Sequence, residues 1–168
     1  MTIIVYPTDT VFGLGCSLFD YNSITKIYEF KGKEFKEPLS FAVSSVEELE
    51  FYADVSEKEL GKIKDLLKQG SHYTFVAKQK LRHPCIDRIA KDGKIGIRVL
   101  NTPLIQRLTE FAPIITTSAN IHGEKTVKRY EDLDERVKDV ADLLISGECD
   151  YGKPSIVYDL VEGRILRD

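Results

Sequence analysis

Short apolar runs alternate with longer amphipathic stretches along most of this chain. Ile3-Ile4-Val5-Tyr6 is stopped by Pro7, which has no N–H to give to a ladder, so the run predicts a buried first strand. Asp20 followed by Ile24, Ile27 and Tyr28 at helical spacing predicts an N-capped helix to about Phe30. Leu39 to Val43 reads as a second strand and Val46 to Tyr52 as a helix. Ser56-Glu57-Lys58-Glu59 is a capping box, opening a helix that buries Leu60, Ile63 and Leu67 and stops at Gly70. Tyr73 to Ala77 and Ile95 to Val99 are strand-like. Thr102-Pro103 starts another helix through Leu104, Ile105 and Leu108. Pro113 to Thr116 predicts a short strand, Glu131 to Val137 a charged helix, Val140 to Ile145 a strand and Ser155 to Leu160 a last core strand. With no internal repeat, low-complexity tract or linker, this interleaving predicts one α/β domain over residues 1–168.

Composition narrows the class. A 168-residue chain that is 42% apolar has the size of a single domain with a substantial core, and 30% charged residues make it soluble. No apolar run approaches a membrane span, and MTIIVYPTDT carries neither a basic region nor a cleavage site, so a cytoplasmic location is expected. Cys16, Cys85 and Cys149 are odd in number and widely separated, which predicts reduced, buried thiols rather than disulfides. His83 and Cys85 have no second pair of metal-ligand residues, so no protein-held metal is expected. The net charge of −3 gives no global attraction to nucleic acid. It is uneven, however: Lys78, Lys80, Arg82, Arg88, Lys91, Lys94 and Arg98 face only Asp87 and Asp92, a patch that could meet RNA or a nucleotide.

Three segments carry chemistry-bearing side chains. Pro7 to Gly15, PTDTVFGLG, places Thr8, Asp9 and Thr10 at a strand end, beside two glycines that permit close backbone approach. It is not a dinucleotide fingerprint, because Leu18 stands where the third glycine belongs, and a capped turn accounts for it equally well. Lys31-Gly32-Lys33 lies ahead of a strand, where ammonium groups suit phosphate. Thr116-Thr117-Ser118-Ala119-Asn120 offers hydroxyls and an amide that orient an anion or sugar without adding charge. By contrast, Gly147 to Lys153 has P-loop spacing but ends in Pro154 and precedes a strand, so it reads as a turn.

Taken together these segments resemble the YrdC/TsaC family of threonylcarbamoyl-AMP synthases. PTDTVFGLG resembles the family signature, and Lys31-Gly32-Lys33 with Pro38-Leu39 resembles its K-x-R…P-L segment. Gly96-Ile97-Arg98-Val99 resembles the G-x-R strand, Thr117 to Asn120 the T-S-A-N loop, and Pro154 to Val157 the late P-S/T-T-V strand that here ends at Asp159. Departures also occur. Lys33 stands where the family usually has Arg and loses the planar fork, and Gly70-Ser71-His72-Tyr73-Thr74 replaces a P-G-P-x-T-like turn.

The resemblance implies a twisted mixed sheet with flanking helices and a concave electropositive face. It further implies that L-threonine, bicarbonate or CO2, and ATP become threonylcarbamoyl-AMP and pyrophosphate, for a separate transferase acting on tRNA. Lys31, Lys33, Ser118 and Asn120 would then be catalytic and ATP-binding, with Ser155 also on ATP. Thr8, Thr10, Arg98 and Thr117 would hold threonine, and Mg²⁺ would arrive with ATP. The alternative is a YrdC-like paralogue that binds double-stranded RNA, without synthase activity.

Overall fold

The computed structural model describes residues 2–32, 37–70 and 72–168. Among them one mixed sheet contains β1 (Ile4–Tyr6), β2 (Gly13–Gly15), β3 (Ser40–Val43), β4 (Ala53–Asp54) and β5 (Tyr73–Gln79). It continues with β6 (Lys94–Val99), β7 (Ile114–Ser118), β8 (Leu143–Leu144), β9 (Ile156–Asp159) and β10 (Arg164–Arg167). The order across it is β10-β9-β5-β6-β3-β7-β2-β1-β8, and β4 pairs with β5 off that path. The β1/β8, β3/β6 and β5/β9 pairs are parallel, and the others are antiparallel.

Strand alternation decides what each face does. Val5, Leu14, Phe41, Val43, Phe75, Ala77, Ile95, Ile97 and Ile115 share one apolar core. That core also takes residues from α1 (Tyr21–Lys31), α2 (Val46–Tyr52), α3 (Glu57–Lys68), α4 (Pro84–Ile89) and α6 (Glu135–Val140). Truncating a fully buried ring here, such as Phe41 or Phe75, would cost about 3–5 kcal/mol. On the opposite face, Tyr6, Ala42 and Ile114 pack with Leu100 and with Ile105 of α5 (Pro103–Leu108), forming a smaller cluster at one end. The other positions in that alternation are Ser40, Thr74, Gly96, Arg98 and Thr116, which line a cavity instead. One face is therefore sealed by helices and the other is half sealed, half polar.

Several elements differ from expectation. Gly13-Leu14-Gly15 forms a strand between β1 and β7, although glycines read as loop formers. The reason is close approach: a Cβ on Gly15 would lie 1.9 Å from the Ile115 carbonyl oxygen, so glycine is what lets the two strands pair. Helix α1 runs through Lys31 and ends on Gly32 in the left-handed region (φ 59°), so Lys31 is helical rather than part of a basic loop. Inside the basic patch, His83 caps α4 with Pro84 at the first turn, a helix the sequence reading did not assign.

Farther along, the helix expected over Glu131 to Val137 splits. A 3₁₀ turn covers Tyr130–Asp132, Leu133 is extended, and Asp134 caps α6 by accepting from the Arg136 N–H. The later start of α6 leaves only Leu143–Leu144 as strand. The short β4 and β10 were not anticipated. The Ser56/Glu59 capping box is present, with Ile63 and Leu66 as the buried residues of α3. All three cysteines are free and buried, and among the described residues no helix is long and apolar enough to cross a membrane.

Candidate active site

The polar half of the second face forms the floor of a cavity of about 480 Å³, a size that suits a small-molecule ligand. Thr8, Thr10, Lys31, Arg98, Thr117, Ser118, Asn120 and Ser155 all line it, drawn from loops, strands and the end of α1 that span more than a hundred residues of sequence. Lys33 lies outside the described residues. Arg167 adds a third cation to the lining, which contains no Asp or Glu among the described residues. The electrostatic demand of this cavity is for an anion.

Arg98 is the central group. Its place on β6 next to β3 and β5 buries it to 6% exposure on the cavity floor. One terminal nitrogen, Nη2, donates to Asp9 Oδ1 and, at 3.0 Å, to Thr10 Oγ1. Nε is buried with no partner among the described residues. An unsatisfied buried donor is costly, and a ligand oxygen in the cavity would satisfy it. The turn that carries Asp9 is built from its own hydroxyls: Thr8 Oγ1 donates to the Val11 carbonyl at 2.7 Å, lies 3.0 Å from Thr10 Oγ1 and accepts from the Thr10 N–H.

Lys31 closes the opposite wall. Only 2% exposed, its Nζ donates to the Ser118 carbonyl at 2.8 Å, the Asn120 carbonyl at 2.6 Å and Asn120 Oδ1 at 2.8 Å. Ser118 Oγ also donates to Asn120 Oδ1 at 2.6 Å. The expectation of a solvent-facing loop lysine is thus corrected: Lys31 is an anchor that shapes the Ser118 to Asn120 loop while lending positive potential to the cavity.

At the third side, Thr74 Oγ1 and Ser155 Oγ are 2.8 Å apart, and Arg167 Nη2 donates to the Ser155 carbonyl at 2.8 Å. Partial burial of the Arg167 guanidinium, then the charge of Arg98, draws its pKa below the ordinary arginine value. Both causes disfavour the cation, and the charge of a bound anion would offset them by favouring it. Sequence reasoning missed Arg167 because it sits in an exposed strand. A register shift between Ile165 and Arg167 accompanies the contact, and nothing local in Arg-Ile-Leu-Arg announces it.

The basic patch fares differently. Lys78 pairs with Asp54, Arg82 with Asp87, and Lys94 with both Asp159 and Glu162, while Arg98 belongs to the cavity. Much of its positive charge is therefore compensated locally. No group of three or more potential metal-ligating His, Cys, Asp or Glu residues occurs among the described residues, and the cavity's hydroxyls and cations do not fit a protein-held divalent ion.

Comparisons with known proteins show the family and the fold. The model of the Sua5, YciO and YrdC family, described as "Telomere recombination", matches residues 2–168. A Methanocaldococcus jannaschii protein provisionally named a threonylcarbamoyl-AMP synthase is 34% identical over 165 residues, covering 98% of this chain and 77% of its own. The crystal structure of P. abyssi Sua5 complexed with L-threonine superposes with a TM-score of 0.81 at 27% identity. That match covers 98% of this chain but 48% of the P. abyssi chain. The crystal structure of E. coli YciO gives a TM-score of 0.84 at 26% identity, covering 99% of this chain and 82% of YciO.

Proposed function

The chain belongs to the Sua5, YciO and YrdC family, and from that premise we propose that it is an L-threonylcarbamoyladenylate synthase. Its substrates are L-threonine, bicarbonate or CO2, and ATP, and its products are threonylcarbamoyl-AMP and pyrophosphate. It would work in the cytosol and supply a separate transferase that modifies tRNA. The observation that carries this reading is Arg98, a buried guanidinium whose Nε has no partner among the described residues, on the floor of a cavity that is rich in hydroxyls and, among the described residues, free of carboxylates. That is the environment an amino-acid carboxylate requires.

In this reading the threonine carboxylate sits on Arg98, with Thr8, Thr10 and Thr117 around the amino acid. The amine attacks CO2 and gives up a proton, or attacks bicarbonate with loss of water, and in either case becomes a carbamate. A carbamate oxygen then attacks the α-phosphorus, the bond to the β-phosphate oxygen breaks, and pyrophosphate leaves. Little covalent chemistry is asked of the protein: it aligns two anions and neutralises growing charge. Ser118, Asn120 and Ser155 orient the nucleotide. Lys31 holds Ser118 and Asn120 in place, and Lys33 would add charge near the phosphates. Mg²⁺ enters as part of the ATP substrate.

A second reading is a family member without synthase activity whose concave face takes double-stranded RNA. The ion-paired state of Lys78, Arg82 and Lys94 weighs against it, because counterion release needs uncompensated cations. Pyrophosphate release with ATP and Mg²⁺ separates the two. The synthase reading expects release only when threonine and bicarbonate are both present, and a rate equal to the no-enzyme blank in folded protein would sink it.

A further inference from the structure

Asp9 is shared. While one of its oxygens takes the Arg98 guanidinium, the other lies 3.2 Å from Nδ1 of His72. The imidazole is stacked on Tyr151, with ring centroids 4.2 Å apart and planes 11° apart. The loop that brings Tyr151 is fastened to the same turn, since the Tyr151 N–H donates to the Asp9 carbonyl at 3.2 Å and the Gly152 N–H to the Thr10 carbonyl at 2.7 Å. Among the described residues His72 does not line the cavity, whereas Arg98, which shares Asp9 with it, does. It also lies in the segment where this chain departs from the family's P-G-P-x-T turn.

We propose that His72 is a positioning residue for Arg98, acting through Asp9, and that its charge state sets how strongly Arg98 binds the carboxylate of the amino-acid substrate. The inference rests on the synthase reading for the identity of that substrate. An Asp9–Arg98 pair alone is close to neutral, which weakens the attraction of Arg98 for a second carboxylate. A protonated imidazole on the other oxygen of Asp9 takes up part of that negative charge and leaves the cluster with a net positive charge facing the cavity. Imidazole is the side chain whose charge responds to pH near neutrality, so the effect is read as a pH dependence of threonine affinity.

The other groups around His72 leave this assignment intact. Asp9 comes from the turn after β1, Arg98 from β6, and Cys149, Asp150 and Tyr151 from the loop after β8. Burial pushes the Cys149 thiol up, reinforced by Asp9 and Asp150, so it stays neutral across that range. By linkage, anything that binds better beside protonated His72 also promotes its protonation.

Calorimetric titration of the full chain with L-threonine at about pH 5.5 and 7.5 tests the proposal. Wild type should bind about three- to tenfold more tightly at the lower pH. His72→Phe keeps a ring to stack on Tyr151 but offers nothing to Asp9. It should bind threonine more weakly than wild type at the lower pH, show no pH difference of its own, and leave ATP affinity within about twofold. His72→Gln gives Asp9 a neutral amide donor, so it should recover part of the affinity without the pH dependence, and it decides the matter alone if the Phe variant fails to fold. Threonine's own titration is common to all three proteins and cancels. Threonine binding that is flat with pH in wild type, or a wild-type pH profile in either variant, overturns the role of His72 and leaves the synthase reading standing. An absence of threonine binding by folded wild type at both pH values overturns that reading and this inference with it.

Discussion

Replacing Lys31 by Met keeps most of the aliphatic stem and removes the ammonium group, which makes it a direct test of the anchor at the cavity wall. In the native chain Nζ serves two backbone carbonyls and one amide oxygen, all in a region where Lys31 and Asn120 are buried. Ser118 Oγ continues to serve Asn120 Oδ1 in the variant, and the Asn120 N–H continues to serve the Ser118 carbonyl, so the stranded acceptor is the Asn120 carbonyl. An unsatisfied buried acceptor costs about 1–3 kcal/mol, and relief from burying a charge offsets part of that. A net loss of about 1–2 kcal/mol follows, and for a domain of this size it corresponds to a Tm lower by roughly 2–8 °C. Lys26→Met, on the exposed side of the same helix, should change stability by no more than about 0.5 kcal/mol. Calorimetric unfolding of both variants at neutral pH reads the difference. If Lys31→Met melts with wild type, the ammonium is not held among these acceptors, and its assignment as an anchor is wrong. If the anchor stands, activity in the surviving folded fraction should also fall, because Ser118 and Asn120 lose their fixed positions.

Other outcomes follow from the same geometry. Arg98→Ala should weaken L-threonine binding by about ten- to a hundredfold while changing ATP affinity far less. Equal losses for both ligands in parallel titrations would move Arg98 out of the amino-acid site. Gly15→Ala drives a Cβ into the Ile115 carbonyl and should lower Tm by at least about 5 °C, whereas Gly61→Ala, in α3 with open space around it, should raise stability by about 0.5–1 kcal/mol. A Gly15→Ala protein as stable as wild type would show that β2 and β7 do not approach as described. Burial alone would raise the Asp159 carboxyl, but Lys94 and the Val161 and Glu162 amides outweigh it and hold the pKa below the usual value. Its contribution is therefore present above the ordinary carboxylate pKa and is lost as pH falls from about 4 toward the lower folded value. Tm measured against pH should fall less steeply below about pH 4 in Asp159→Asn than in wild type; parallel curves would remove Asp159 from the acid response.

β1, β3, β5, β6, β7 and β9 were legible because their apolar runs are short and bounded, and the capping box at Ser56 was legible because capping is local chemistry. What sequence could not resolve was which face of each strand the helices would cover. Leu39 to Val43 and Ile95 to Val99 read as strands, yet their alternate members part company: Phe41, Val43, Ile95 and Ile97 enter the core, while Ser40, Gly96 and Arg98 line the cavity. That division depends on α5 covering only the end of the second face, a tertiary fact. Lys31 shows the same limit from the other side. Its place beside Gly32 was evident, but one further helical residue turns it from a loop cation into a buried donor for a segment about ninety positions away. Arg167 was hidden because its function would come from a register shift in the last strand pair, which no local pattern encodes. The motifs located the turns that meet at the cavity, and long-range pairing decided which of their side chains were already spent holding it together. Lys31 is engaged by Ser118 and Asn120, while Arg98 keeps a buried Nε with no partner among the described residues. For that reason Arg98, more than Lys31, is where an anionic substrate would gain by binding.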